Sequence, residues 1–495
     1  MIETSRYQAS ASGRTALVLC VNAGALIAFL FSPLAPEYPL AALSILAFIF
    51  AQAFFPACRF SDQAPLCPSD FAQGFFWIQM VLVTVLVGYW GFQPGTLPHI
   101  PSKDALNTAI LIRVVGYLAF CVAYQWFDSR QRVSKLPSLP TKVEEILEVR
   151  GHVPMSKPNE FWSSRLILPF AVLGLTSFFL DYGGIQGFID FFTEPFSYAQ
   201  QVEEPSTLAG AAATFLRHFH GFAVVLAWSL WIDRQDRSRC MARCAIVTAG
   251  AFMLLMFASL SYNRGSMFGP ALSLAAAFSL HVWRIPFKGV ILAGVLTFPP
   301  ALAFGWYRSS DVELDDQTWA QEAVGFVQTY GSAPQMGAFM IEQLDRDAKF
   351  YFGSTLLPSL VYPIPVVGKP FRESSGVYLF NEFIYGDPDV LDQIFPLDAE
   401  LYVNFHFLGV AAGYALLGWV VSCFQFRFMS APNAIESYSW MMLALWAVFP
   451  GSLPVTSQLY VYAFWPIYVY MGFKALAHAE PLRLSTRQRD FTKIS

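Results

Sequence analysis

The side chains able to do chemistry are few, and most stand near the ends of apolar runs. Arg264 falls in SYNRG, Ser261 to Gly265, a turn between two such runs. A charge there is costly unless it has a partner or a use. A planar guanidinium at that depth suits a phosphate held at a membrane surface. The competing reading is an arginine that snorkels to lipid headgroups. Arg217, His218 and His220 stand in FLRHFHGF. Arg217 offers a second cation for phosphate. Two histidines two apart do not share a helix face, so RHFH is no metal site by spacing; one of them turned inward would meet substrate. Arg346 lies in MIEQLDRDAKFYFG, which reads as a short amphipathic helix against the bundle, with Asp345 and Asp347 as competing partners. The next stretch, SLVYPIPVVGKPFRESSGVYLFNEFIYGDP, mixes Pro, Gly and aromatics with little helix or strand period. It predicts a structured irregular loop. Tyr362, Phe371 or Tyr378 would stack on sugars there, and Lys369 and Arg372 would meet anionic groups. The alternative is a folded cap that only shields the bundle. Glu400 opens DAELYVNFHFLGVAAG, one turn before Asn404 and close to His406. A partly desolvated carboxylate at a membrane edge can act as general base toward a sugar hydroxyl. The competing reading is a carboxylate favoured by a helix N-terminus, and Asp398 is the competing residue.

These residues must be positioned by a membrane bundle. The chain has 495 residues, 55% hydrophobic and 13% charged, with a mean hydropathy of +0.45. A soluble protein carries about 25% charged residues. The apolar runs are continuous for about twenty residues, which fits helices rather than the alternating strands of a barrel. No basic stretch has the density of a nucleic-acid groove. The seven cysteines show no paired metal spacing and read as core thiols.

The pattern predicts an all-α, polytopic helix bundle of about twelve spans. They run Ala16 to Phe31, Tyr38 to Phe55, Phe71 to Trp90, Ala105 to Phe127, Trp162 to Leu180 and Phe215 to Trp231. Next come Cys244 to Leu260, Ser266 to Trp283 and Phe287 to Trp306, then Leu401 to Phe424, Ser437 to Phe449 and Leu459 to Phe473. The large break between spans nine and ten, about Tyr307 to Glu400, divides the chain into a bundle (1–306), a loop domain (307–400) and C-terminal helices (401–495). Basic residues cluster in Asp128 to Asn159, in Asp233 to Arg243, at Arg284 and Lys288, and in the tail. All four lie on one side of the twelve-span arrangement, which the positive-inside rule makes the cytoplasm. Both termini are then cytoplasmic and the large loop is extracytoplasmic, in a bacterial inner membrane.

With those residues in view, the chain resembles the Wzy family, the oligosaccharide repeat-unit polymerases of O-antigen and exopolysaccharide synthesis. The likeness rests on the layout, on SYNRGSMFG, on LLPSLVYPIPVVGKPF and on AELYVNFHFLG. Family members show a Ser-Arg-Gly pattern, a loop run ending in Ile-Pro, and Glu-x-Tyr-x-Asn-Phe-Gly-x-x-Gly after the loop. The matching residues are Arg264 and Gly265, Ile364 and Pro365, then Glu400, Tyr402, Asn404, Phe405 and Gly409. Asn263 stands in place of the Ser, and His406 in place of the first Gly after Phe405.

The resemblance implies a GT-C-like glycosyltransferase that uses undecaprenyl-pyrophosphate-linked oligosaccharides without nucleotide sugar, metal or cofactor. An acceptor hydroxyl would attack the donor's anomeric carbon with inversion as the pyrophosphate-lipid departs. Fixed cations at the leaving group lower such a barrier most directly: Arg264 and Arg217, with Arg346 and Arg372 from the loop. Glu400 would be the base. The expected partners are those lipid-linked glycans, membrane lipids, a chain-length regulator and a flippase, with no nucleic acid. The alternatives are a lipid-linked glycan ligase of similar layout and a polysaccharide or lipid transporter. A transporter predicts charges at mid-span; the span interiors hold almost no Asp, Glu, Lys or Arg, and Arg113 in span four is an exception.

Overall fold

The computed structural model describes residues 2–60, 66–93, 97–133, 157–182, 216, 218–235, 241–258, 264–283, 285, 319–331, 334–347, 350–361, 368–371, 374–386, 395–448 and 464–476. Among these the protein is all-α. The helices are α1 (Ile2–Leu30), α2 (Ala42–Phe54), α3 (Pro68–Trp90), α4 (Lys103–Val133), α5 (Lys157–Tyr182), α6 (Phe219–Arg234), α7 (Met241–Ala258) and α8 (Arg264–His281). Then come α9 (Trp319–Tyr330), α10 (Pro334–Asp347), α11 (Leu356–Val361), α12 (Gly376–Tyr385), α13 (Leu397–Met429), α14 (Ala434–Val448) and α15 (465–476).

Every expected span except the ninth coincides with a helix, and Phe287 to Trp306 lies outside the described residues. Three helices, α3, α4 and α13, are long and apolar enough to cross a bilayer, and α1, α2, α5 and α7 contain shorter apolar stretches. This is a membrane protein with a few long apolar helices. The helix at α10 agrees with the amphipathic pattern around Arg346: Met336, Phe339, Met340 and Leu344 are buried, while Glu342 reaches His99 at 2.9 Å. The stretch read as irregular differs. It holds the end of α11 and all of α12, and Phe380 and Ile384 sit on one face of α12 and pack into the core.

The helices share two main hydrophobic cores. One joins α2, α3, α4, α10, α12 and α13; the other joins α5, α6, α7, α8, α14 and α15. Within the first, α4 lies along α13, with Gly116 against the ring of Tyr414 and Gly418 against the backbone of Phe120.

Helix α13 departs most from expectation. The sequence predicts one unbroken span from Leu401; the backbone instead bends at Phe405 (φ −139°, ψ 16°) and His406 (φ 58°, ψ −159°). The first arm, Leu397 to Asn404, folds back on the second. A Cβ on Gly409 would lie 2.8 Å from the Leu401 carbonyl oxygen and 2.5 Å from Phe405 Cβ, and one on Gly413 would lie 2.5 Å from Leu401 Cδ1. In a straight helix Leu401 and Gly409 stand about 12 Å apart along the axis. The second arm, 407–429, is about 34 Å long and spans a bilayer without the first.

The bend sets opposite demands at two positions. Gly409→Ala places a methyl against backbone that cannot yield, so it should destabilise by about 1–3 kcal/mol. Gly250→Ala, with open space around it, should be neutral or slightly stabilising. His406→Gly removes a strain of about 1–3 kcal/mol and should preserve or raise stability. Thermal unfolding of the three variants in detergent checks this; equal melting of Gly409→Ala and Gly250→Ala would contradict the fold-back.

Candidate functional site

The first arm of α13 carries a polar row. Asp398, Glu400 and Asn404 are buried, at 3%, 0% and 0% exposure. Each has a different neighbour, and each neighbour comes from a different part of the chain.

Asp398 meets α4. Its Oδ2 accepts from Arg113 Nε at 3.0 Å and Nη2 at 2.9 Å, and its Oδ1 accepts from the Ala399 amide at 2.9 Å. Both partners of this ion pair are almost wholly enclosed. Arg113 lies about 15 Å along α4 from the exposed Lys103. In the sequence Arg113 is an isolated charge and Asp398 a competitor of Glu400. The structure makes them one unit. The signal was present: two opposite charges in apolar surroundings must find each other or lose their charge. Nothing local fixes which pair forms across 285 residues.

Glu400 meets α12. Its Oε1 lies 2.6 Å from where a Cβ on Gly376 would stand. Gly376 is the first residue of α12, after an extended Ser375 at the N-cap. The carboxylate therefore packs against the first residue of α12. The sequence suggests a partly desolvated carboxylate; in the structure Glu400 is fully enclosed, with Gly376 of α12 against it. Glu400 also stands in the first turn of its own helix, the place the competing reading gave it.

Asn404 meets the turn before α11. Its Oδ1 accepts from the Gly353 amide at 2.7 Å, and its Nδ2 donates to Thr355 Oγ1 and to the Glu400 carbonyl, both at 2.7 Å. Its side-chain bonds fasten the turn to the helix. Tyr402, one face around, pairs its hydroxyl with His406 Nε2 at 3.0 Å.

The other expected site residues are distributed as follows. Tyr378 is on α12 at 5% exposure, a core ring rather than an open platform for sugar stacking. Phe371, by contrast, is exposed. His218 is the N-cap of α6, and His220, in its first turn, packs against Gly174 of α5 in the second core. Arg264 begins α8 instead of standing in a turn; its side chain, like those of Arg346 and Lys369, is outside what the structure describes. Arg217 and Arg372 lie outside the described residues altogether, as does Tyr362. Glu400, Asn404 and the helix of Tyr378 are thus brought together, and the α6 histidines are not part of that cluster. Among the described residues no group of three or more His, Cys, Asp or Glu is placed to hold a metal ion, and Cys20, Cys58, Cys67, Cys121, Cys244 and Cys423 are free thiols.

Two buried donors beside this row remain unspent. Arg113 Nη1 and Ser375 Oγ have no hydrogen-bond partner among the described residues. Buried donors in a native protein are usually satisfied. The chain matches no family model, no curated protein and no solved structure.

The ion pair has a distinctive mutational signature. Asp398→Asn strands a buried guanidinium and should cost about 3–5 kcal/mol, whereas Arg113→Met combined with Asp398→Leu should recover most of that loss. Chemical denaturation of purified protein reads both; a double variant no more stable than the single one would show that the pair is not the interaction at stake.

Proposed function

We propose that this protein is a membrane glycosyltransferase that joins undecaprenyl-pyrophosphate-linked oligosaccharide repeat units on the outer face of the inner membrane. The observation that carries the reading is the enclosed carboxylate row on the folded-back arm of α13. Ionisable residues buried in a membrane protein are costly and are kept where they serve a function. Here they are gathered at a helix break, where irregular backbone in membrane proteins lines ligand sites. The motif likeness around Arg264, Ile364 and Glu400 points the same way.

In this scheme Glu400 takes the proton from the acceptor hydroxyl as the new glycosidic bond forms. The bond from the anomeric carbon to the pyrophosphate oxygen breaks, and the diphosphate leaves with the electron pair. Arg264 and Arg217 face the departing charge, with Arg346, Lys369 and Arg372 as loop-borne cations. Arg113 joins them through its unspent Nη1. Because Glu400 is enclosed as it stands, the acceptor reaches it only when α12 moves aside. A single transfer onto a lipid-anchored core, with no ladder of products, would make the enzyme a ligase of similar layout. The Arg113–Asp398 pair favours a second reading, a transporter in which the pair exchanges partners as a substrate passes.

The test is polymerisation of purified lipid-linked repeat unit, read as a ladder on a gel. Arg264→Ala should abolish the ladder with protein levels unchanged. Glu400→Gln should still bind the lipid-linked unit but turn over about 10²–10⁴-fold more slowly. Wild-type chain length in the first variant would remove Arg264 from the site, and an unchanged rate in the second would reassign the base. Substrate flux across vesicles without any new glycosidic bond would establish the transporter instead.

A further inference from the structure

The turn and short helix from Phe350 to Val361 present an apolar surface that no described part of the protein covers. Phe352 is 78% exposed and Leu357 67% exposed, and Phe350 stands at their edge, 6.2 Å from Phe352 and 5.7 Å from the His406 ring. The surface is continuous with the bend of α13, where Leu408 is 79% exposed. From Leu408 the same face of α13 runs on through Leu416 and Trp419, both exposed. The spacing of eight and then three residues keeps them on one side of the helix. That side belongs to a helix long and apolar enough to cross a bilayer, and its exposed stripe is the lipid-facing one.

Two further observations say what covers the patch. First, the chain carries no charged residue from Phe350 to Gly368, and this stretch is bracketed by Lys349 and Lys369. An uncharged apolar run ended by lysines on both sides is the composition of a segment whose ends meet phosphate headgroups. Second, most amides of the turn are met within the protein. Tyr351 donates to the Val403 carbonyl at 3.1 Å and Gly353 to Asn404 Oδ1 at 2.7 Å. Ser354 donates to Tyr351, and Leu356 and Leu357 both donate to Gly353. Each backbone group met within the protein lowers the cost of bringing the turn to the bilayer surface, where an unmet one is expensive. A water-exposed loop has no such requirement.

We propose that Phe350–Val361 is a membrane-dipping segment, seated on one leaflet of the bilayer with Phe352 and Leu357 among the lipid chains. The sequence places this stretch in a water-facing loop; on this inference its tip returns to the membrane beside the bend of α13. Asn404 is the positioning residue, since it supplies the acceptor for Gly353 that the turn needs in lipid. The inference is independent of the proposed enzymatic activity.

The experiment uses the full chain in nanodiscs of phosphatidylethanolamine and phosphatidylglycerol. A benzophenone amino acid replaces Phe352, Leu357, Leu416 or Glu382, one at a time. Glu382 is exposed and charged on α12 and serves as the water-facing control; Leu416 is the lipid-facing reference. After irradiation, mass spectrometry should find phospholipid adducts at 352, 357 and 416 and their loss at 382. Position 357 carries the test if the protein substituted at 352 does not fold. Adducts at 416 alone would overturn the proposal. So would a crosslink from 352 or 357 to a second copy of the chain, which would give the surface to a dimer.

Discussion

A helix that breaks in apolar surroundings leaves backbone groups that water cannot reach, and the site is arranged around meeting them. At the bend of α13 the Val403 carbonyl accepts from the Tyr351 amide. Asn404 then ties the Gly353 amide and the Thr355 hydroxyl to the same arm. The turn before α11 and the bend of α13 therefore depend on each other. The bend holds the first arm against Gly409 and Gly413, and that arm presents Asp398 and Glu400 to their partners.

The two buried carboxylates have different surroundings. Asp398 is paired with a guanidinium from α4, and Glu400 lies against Gly376 at the start of α12. An ion pair buried this deeply ties α4 to α13 and resists any movement that separates them.

Much of the scaffold is legible in the sequence. Apolar runs marked each helix from α1 to α8, and the amphipathic pattern of MIEQLDRDAKFYFG marked the second half of α10. The glycine spacing after Phe405 was readable as a pattern, yet its cause was not. Gly409 is small because Leu401 folds onto it, and His406 occupies a backbone conformation suited to glycine. Helix α12 was missed because Gly, Ser and aromatics outweigh its periodicity over ten residues. Tyr378 looked like a sugar platform for the same reason: aromatics in a loop and aromatics in a core read alike.

By itself the sequence determined the solvent this protein lives in and the material of its helices. Those follow from composition and from period, which are summed over many residues and tolerate local error. It also determined which charges are few enough to matter. Tertiary structure alone decided that Arg113 answers Asp398, that Glu400 lies under α12, and that Asn404 serves a turn fifty-one residues earlier. Such pairings depend on how arms of the chain fold back on one another, and the free energy that selects them comes from enclosure, which has no signature in the order of neighbouring residues.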